Sequence, residues 1–110
     1  METTIEKTDN GVLVAMNGRI DSTNYTEFES AIEPLSGVQY PVIYLDCSNL
    51  SYISSSGLRI FLTLQKRVMA TGGELKIFSL QPPIKEIFDI AGFSSIFSIY
   101  PDFGSAQEKY

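Results

Sequence analysis

The chain has 110 residues, 44% of them hydrophobic, with eight Lys and Arg against thirteen Asp and Glu, a single cysteine and no histidine. That length fits one domain spanning residues 1–110 with a real core, and the net charge of −5 excludes nucleic-acid or anionic-membrane binding by charge alone. The lone Cys47 excludes an internal disulfide, no basic segment leads into an apolar run as in a secretory leader, and no stretch nears the roughly 20 apolar residues that span a bilayer; a soluble cytoplasmic protein without a membrane partner is expected.

In chain order, Thr3 to Thr8 reads as a short first strand. Asn10-Gly11 is a hairpin turn signal, because both residues tolerate positive φ. Val12 to Met16 reads as the second strand, ending at Asn17-Gly18. Ser22, Thr23 and Asn24 are candidate caps for a first helix, and Asn24 with Glu27 has capping-box spacing. Phe28, Ile32 and Leu35 share one face of that helix, and Pro34 and Gly37 end it.

Val42 to Leu45 is apolar without alternation, as a strand covered on both faces would be. A second helix begins within Ser55 to Leu58. It carries Leu58, Phe61, Leu62, Leu64, Val68 and Met69 on a broad apolar face, with Leu58 and Ile60 divided between core and surface, and Thr71-Gly72-Gly73 stops it. Leu75 to Phe78 is a fourth strand. Pro82-Pro83 opens a third helix with Ile84, Ile87, Phe88 and Ala91 inward and Gly92 as its stop. Phe93, Ile96 and Phe97 read as core, Ile96 to Tyr100 as a fifth strand, and residues 101–110 as a polar, weakly helical tail, open to fraying or to a short helix. The order β-β-α-β-α-β-α-β defines an α/β fold: a mixed sheet with helices packed on it, its core spanning about residues 3–100. Right-handed crossovers place the loops after Ile20 and after Leu50 at one edge of the sheet.

Much chemistry is missing. Without histidine there is no Ser-His or Cys-His pair and no common general base. No cysteine cluster suits zinc, and no glycine-rich phosphate cradle is present. Cys47 reads as a small packed side chain. Asp21 and Asp46 near strand ends read as a helix-start cap and a turn residue rather than as ligands. Neither a metal, nor a cofactor, nor catalysis is expected.

Ile53-Ser54-Ser55-Ser56-Gly57-Leu58-Arg59 lies between a strand and a helix. It puts hydroxyls where unpaired N–H groups and the helix dipole favour an anion. A serine there can carry phosphate with its charge partly compensated. The plainer reading is a serine cap followed by a tight glycine, and both can hold together.

These residues resemble the STAS family, the sulphate transporter and anti-sigma factor antagonist domains. Asn17-Gly18-Arg19-Ile20-Asp21 resembles its G-x-[IL]-D step. Tyr44-Leu45-Asp46 followed by Ile53 to Leu58 resembles its strand, loop and D-[ST]-S-G-L helix start. Gly72-Gly73-Glu74-Leu75 resembles its helix-turn-strand, and Pro82 through Gly92-Phe93 resembles its third helix. The agreement runs from about Val12 to Tyr100, and the free-standing chain is most similar to the bacterial anti-sigma factor antagonists. The resemblance implies an antagonist that binds an anti-sigma factor serine kinase and so frees a sigma factor. The kinase then phosphorylates the antagonist, which lets go, and a PP2C-type serine phosphatase resets it.

The resemblance makes Ser55 the phosphorylated residue, ahead of Ser54 and Ser56, and makes Asp21 a site-shaping acid close to it. Ser54, Ser56, Gly57 and Leu58 complete the partner-binding set, with any side chain at Gly57 expected to stand between the loop and the partner. Ser54 replaces the aspartate that family members often carry before the acceptor. Two other readings stay open. One is a STAS binding subunit of a transporter or stress-signalling complex that is never phosphorylated. The other, a receiver phosphorylated on Asp46, lacks the acidic pair and late lysine that such a site needs.

Overall fold

A computed structural model describes residues 1–35 and 40–107. The chain runs through β1 (Glu2–Thr8), β2 (Gly11–Ile20), α1 (Tyr25–Ile32) with a 3₁₀ turn at Glu33–Leu35, and β3 (Val42–Ile53). It continues through α2 (Ser55–Ala70), β4 (Glu74–Phe78), α3 (Pro82–Ile90), a 3₁₀ turn at Phe93–Ser95, β5 (Ser98–Tyr100) and α4 (Phe103–Gln107). The five strands lie in sequential order, β1 antiparallel to β2 and all later neighbours parallel. This is the expected mixed α/β sheet, with one helix more.

Successive right-handed crossovers in one direction put α1, α2 and α3 on one face of the sheet. There Phe61 of α2 meets Phe28 of α1 at 5.9 Å and Phe88 of α3 at 6.3 Å between ring centres. Ile43 and Leu45 point into this larger core, whereas Val42 and Tyr44 point into a smaller one under α4. That explains the unbroken apolar run of β3: both of its faces are covered.

Several boundaries differ from the sequence reading. β2 does not stop at Asn17-Gly18 but runs to Ile20, and β3 continues past Leu45 to Ile53. The two pair in parallel to their ends, through Arg19↔Tyr52 and Ile20↔Ile53, with the register shifting between Ala15 and Asn17 and between Gly18 and Arg19. Gly18 holds φ +110 at this irregularity. The glycine therefore marks a kink within a strand, not its end. α1 ends at Ile32 with Pro34 in the 3₁₀ turn; Gly37 lies outside the described residues.

Leu58 and Ile60 are both buried, because α2 is flanked by α1 and α3 as well as backed by the sheet. Met69 is 63% and Ile96 49% exposed, so neither joins the core. Phe97 is buried and Phe93 partly so, and the turn at Phe93–Ser95 delays β5 to Ser98. Of the two outcomes open for the tail, residues 103–107 take the short helix, α4. Its Phe103 stacks on Phe78 and meets Tyr44 edge-on, each at 5.1 Å, and Ala106 is fully buried. The Asp102 carboxylate caps the start by accepting the Ser105 N–H at 2.7 Å, and buried Lys76 donates to the Ala106 carbonyl at 2.8 Å. None of the described helices is long and apolar enough to cross a membrane.

Candidate functional site

The site forms where β2 and β3 end side by side. Past the Ile20↔Ile53 pair, the Ser54 N–H donates to the Ile20 carbonyl at 2.8 Å. Ser54 is thus the whole connection between β3 and α2. Its backbone is extended (φ −84, ψ 171), and its carbonyl accepts the Leu58 N–H at 3.0 Å. Its Oγ accepts the Gly57 N–H at 3.3 Å, as a helix N-cap does.

Three serines adjacent in sequence therefore differ in situation. Ser54 is half-buried with its hydroxyl oxygen engaged in the cap. Ser56 is half-buried beside the groove between α1 and α2. Ser55 is exposed, and among the described residues its hydroxyl has no hydrogen-bond partner. Its N–H and that of Ser56 belong to the first turn, which a helix cannot satisfy itself. Ser55 Oγ thus lies at the positive end of a 16-residue helix.

Gly57 and Leu58 take a different part from the one expected. Gly57 is buried, and a Cβ there would stand 2.7 Å from Ile20 Cγ2 and 2.8 Å from Ile53 Cγ1. A side chain would thus point into the core, not toward a partner. The glycine lets the first turn of α2 sit directly on the ends of β2 and β3. Leu58 is likewise a core residue at 7% exposure and anchors that turn from below.

Asp21 follows Ile20, whose carbonyl holds Ser54, and so borders the same corner. Its carboxylate accepts the Thr23 N–H at 2.9 Å and the Thr23 hydroxyl at 2.6 Å. The Arg19 Nε lies 3.7 Å away. The Thr23 bonds, with Arg19 assisting, hold the carboxyl below the usual range. Asn24 does not form the expected capping box. It reaches back instead, accepting the Asp21 N–H at 2.8 Å and donating to the Arg19 carbonyl at 2.8 Å. Those bonds tie the β2–α1 turn to the end of β2.

Sequence reasoning missed Arg19 and Tyr52. The Arg19 guanidinium lies over the Tyr52 ring at 4.6 Å, as cross-strand partners on one face can. It also missed Arg59, one turn along α2 from Ser55, which the i,i+4 spacing could have flagged. Cys47 is fully buried, and burial pushes its thiol far above the ordinary range, as a packing residue requires. Asp46 lies within β3 and not in a turn, its carboxylate accepting the Ser48 N–H at 3.0 Å.

The model of the STAS domain family matches residues 2–106. A protein of Bordetella bronchiseptica provisionally named as the anti-sigma factor antagonist BtrV is 33% identical over 99 residues, 90% of this chain and 85% of that one. The crystal structure of an anti-sigma factor antagonist from Mycobacterium paratuberculosis superposes with a TM-score of 0.86 at 23% identity, covering 96% of this chain and 89% of the other. The phosphorylated form of the Bacillus cell fate determinant SpoIIAA gives 0.70 at 18% identity, covering 96% of each chain.

Proposed function

The chain belongs to the STAS domain family, and we propose that within it this protein works as an anti-sigma factor antagonist switched by phosphorylation of Ser55. In its unmodified form it binds an anti-sigma factor serine kinase, so that a sigma factor is freed in the cytoplasm. The kinase passes the γ-phosphoryl group of ATP to Ser55 Oγ. The bond from that phosphorus to the β–γ bridging oxygen breaks, ADP leaves, and the hydroxyl proton goes to a base of the kinase. The modified protein then releases the kinase, and a PP2C-type phosphatase hydrolyses the phosphate.

The observation that carries this reading is the exposure of Ser55 at the α2 start while Ser54 serves as the cap. Phosphate adds about −1.5 to −2 charges at pH 7. The helix start offsets about 0.3–1 kcal/mol of that at an exposed site. Nothing in the core has to move, so the switch acts at the interface. There the new charge meets the nucleotide phosphates that the kinase must bring close to react, and repulsion in a partly desolvated site costs several kcal/mol. About 1.4 kcal/mol is already tenfold in affinity.

The test uses Ser55→Ala, Ser55→Asp and wild-type protein as baits in the source cells. Wild type and Ser55→Ala capture the kinase, ATP releases it from wild type alone, and Ser55→Asp captures far less while melting within a few degrees of wild type. Equal capture by Ser55→Asp, or release of Ser55→Ala by ATP, contradicts the reading.

A further inference from the structure

We propose that Arg59 is the intramolecular counter-ion of phosphorylated Ser55, an inference that rests on Ser55 being the acceptor. Ser55 and Arg59 are both exposed and stand four residues apart on α2. Such residues are neighbours on a helix surface, and an anion placed N-terminal to a cation at this spacing is the favourable order. Helical side chains also lean toward the N-terminus, which carries the Arg59 stem back over the first turn.

Among the described residues, the other Lys and Arg side chains are committed or remote. Arg19 is held between the Asp21 carboxylate at 3.7 Å and the Tyr52 ring at 4.6 Å. Arg67 pairs with Glu33 at 3.8 Å, Lys85 with Asp89 at 3.3 Å, and Lys76 donates to Ala106 at 2.8 Å. Lys7 stands on the edge strand β1, and Lys66 lies two turns further along α2. Arg59 borders the groove between α1 and α2 with Tyr25, Glu29 and Ser56. Among the described residues its guanidinium has no side-chain partner.

A guanidinium meets phosphate oxygens with two parallel N–H···O bonds, which an ammonium cannot reproduce. Phosphorylation therefore changes two features of one face. An open hydroxyl becomes a charged group, and a free guanidinium is tied to it. A partner that used Arg59 as a cationic contact loses that contact at the moment it meets the phosphate.

The test installs phosphoserine at position 55 during translation, which requires no kinase, and titrates the phosphate in the full chain by ³¹P NMR. Its second pKa, ordinarily about 6, is expected to rise by about half a unit in Arg59→Gln. Arg59→Lys falls between, and 1 M salt narrows the differences. Arg59→Gln lowers the melting temperature only in the phosphorylated protein. An unchanged phosphate pKa in Arg59→Gln overturns the proposal, as does an equal loss of melting temperature in both forms. If the pKa shift is found but protein from its own cells carries phosphate elsewhere, the pairing stands and the choice of Ser55 as acceptor falls.

Discussion

Gly57 packs so closely on Ile20 that a Cβ at this position would stand 2.7 Å from Ile20 Cγ2, with Ile53 Cγ1 at 2.8 Å on the other side. A side chain here has to push α2 away from the ends of β2 and β3. Overpacking of this kind costs about 1–3 kcal/mol. Gly57→Val is expected to lower the melting temperature by about 5–15 °C. An unchanged melting temperature would mean that the glycine is kept for a partner and not for the core.

Ser54 acts on the same turn from outside. Its Oγ bond to the Gly57 N–H is long, at 3.3 Å, so Ser54→Ala is expected to cost about 0.5–1 kcal/mol, toward the lower end for a lost N-cap. Ser54→Asp restores the cap and adds a charge that suits the helix dipole, so it should melt at or above wild type. Thermal unfolding of the two variants side by side checks both signs; a Ser54→Ala protein as stable as wild type would show that the cap contributes nothing.

Asp21 links the site to pH. Its carboxyl is held low by the Thr23 bonds first, with Arg19 assisting. A group whose folded pKa is depressed stabilises the fold above its unfolded value, about 3.9 for Asp, and loses that contribution as pH falls through the folded value. Asp21→Asn should therefore be less stable than wild type at pH 7. The gap should close as pH is lowered well below about 4. A stability difference independent of pH between 7 and 2.5 would assign the effect to Asn24 and the turn backbone.

The element order was legible because each helix and central strand carries its own period, and the run Val42–Leu45 announced a strand covered on both faces. The far ends of β2 and β3 were not. Asn17, Gly18 and Asn49 are turn-type residues by composition, and only the cross-strand pairs Asn17↔Asn49 and Gly18↔Leu50 make them strand. α4 is only weakly legible, because its apolar contacts come from Phe103 and Ala106, set in a polar stretch. At the site, the serines were visible but identical. What separates Ser54 from Ser55 is that only the Ser54 Oγ accepts the Gly57 N–H, a difference that no residue type encodes. The inward position of Gly57 was hidden for a different reason: its neighbour Ile20 is remote in the chain.

Everything proposed for the switch depends on Ser55 accepting the phosphate, and the decisive measurement is mass-spectrometric mapping after incubation with ATP and the anti-sigma factor kinase captured with the protein. Wild type is predicted to carry a single phosphate, on Ser55, and Ser55→Ala to carry none. Phosphate on Ser54 or Ser56 of Ser55→Ala, gained at the wild-type rate, would contradict it.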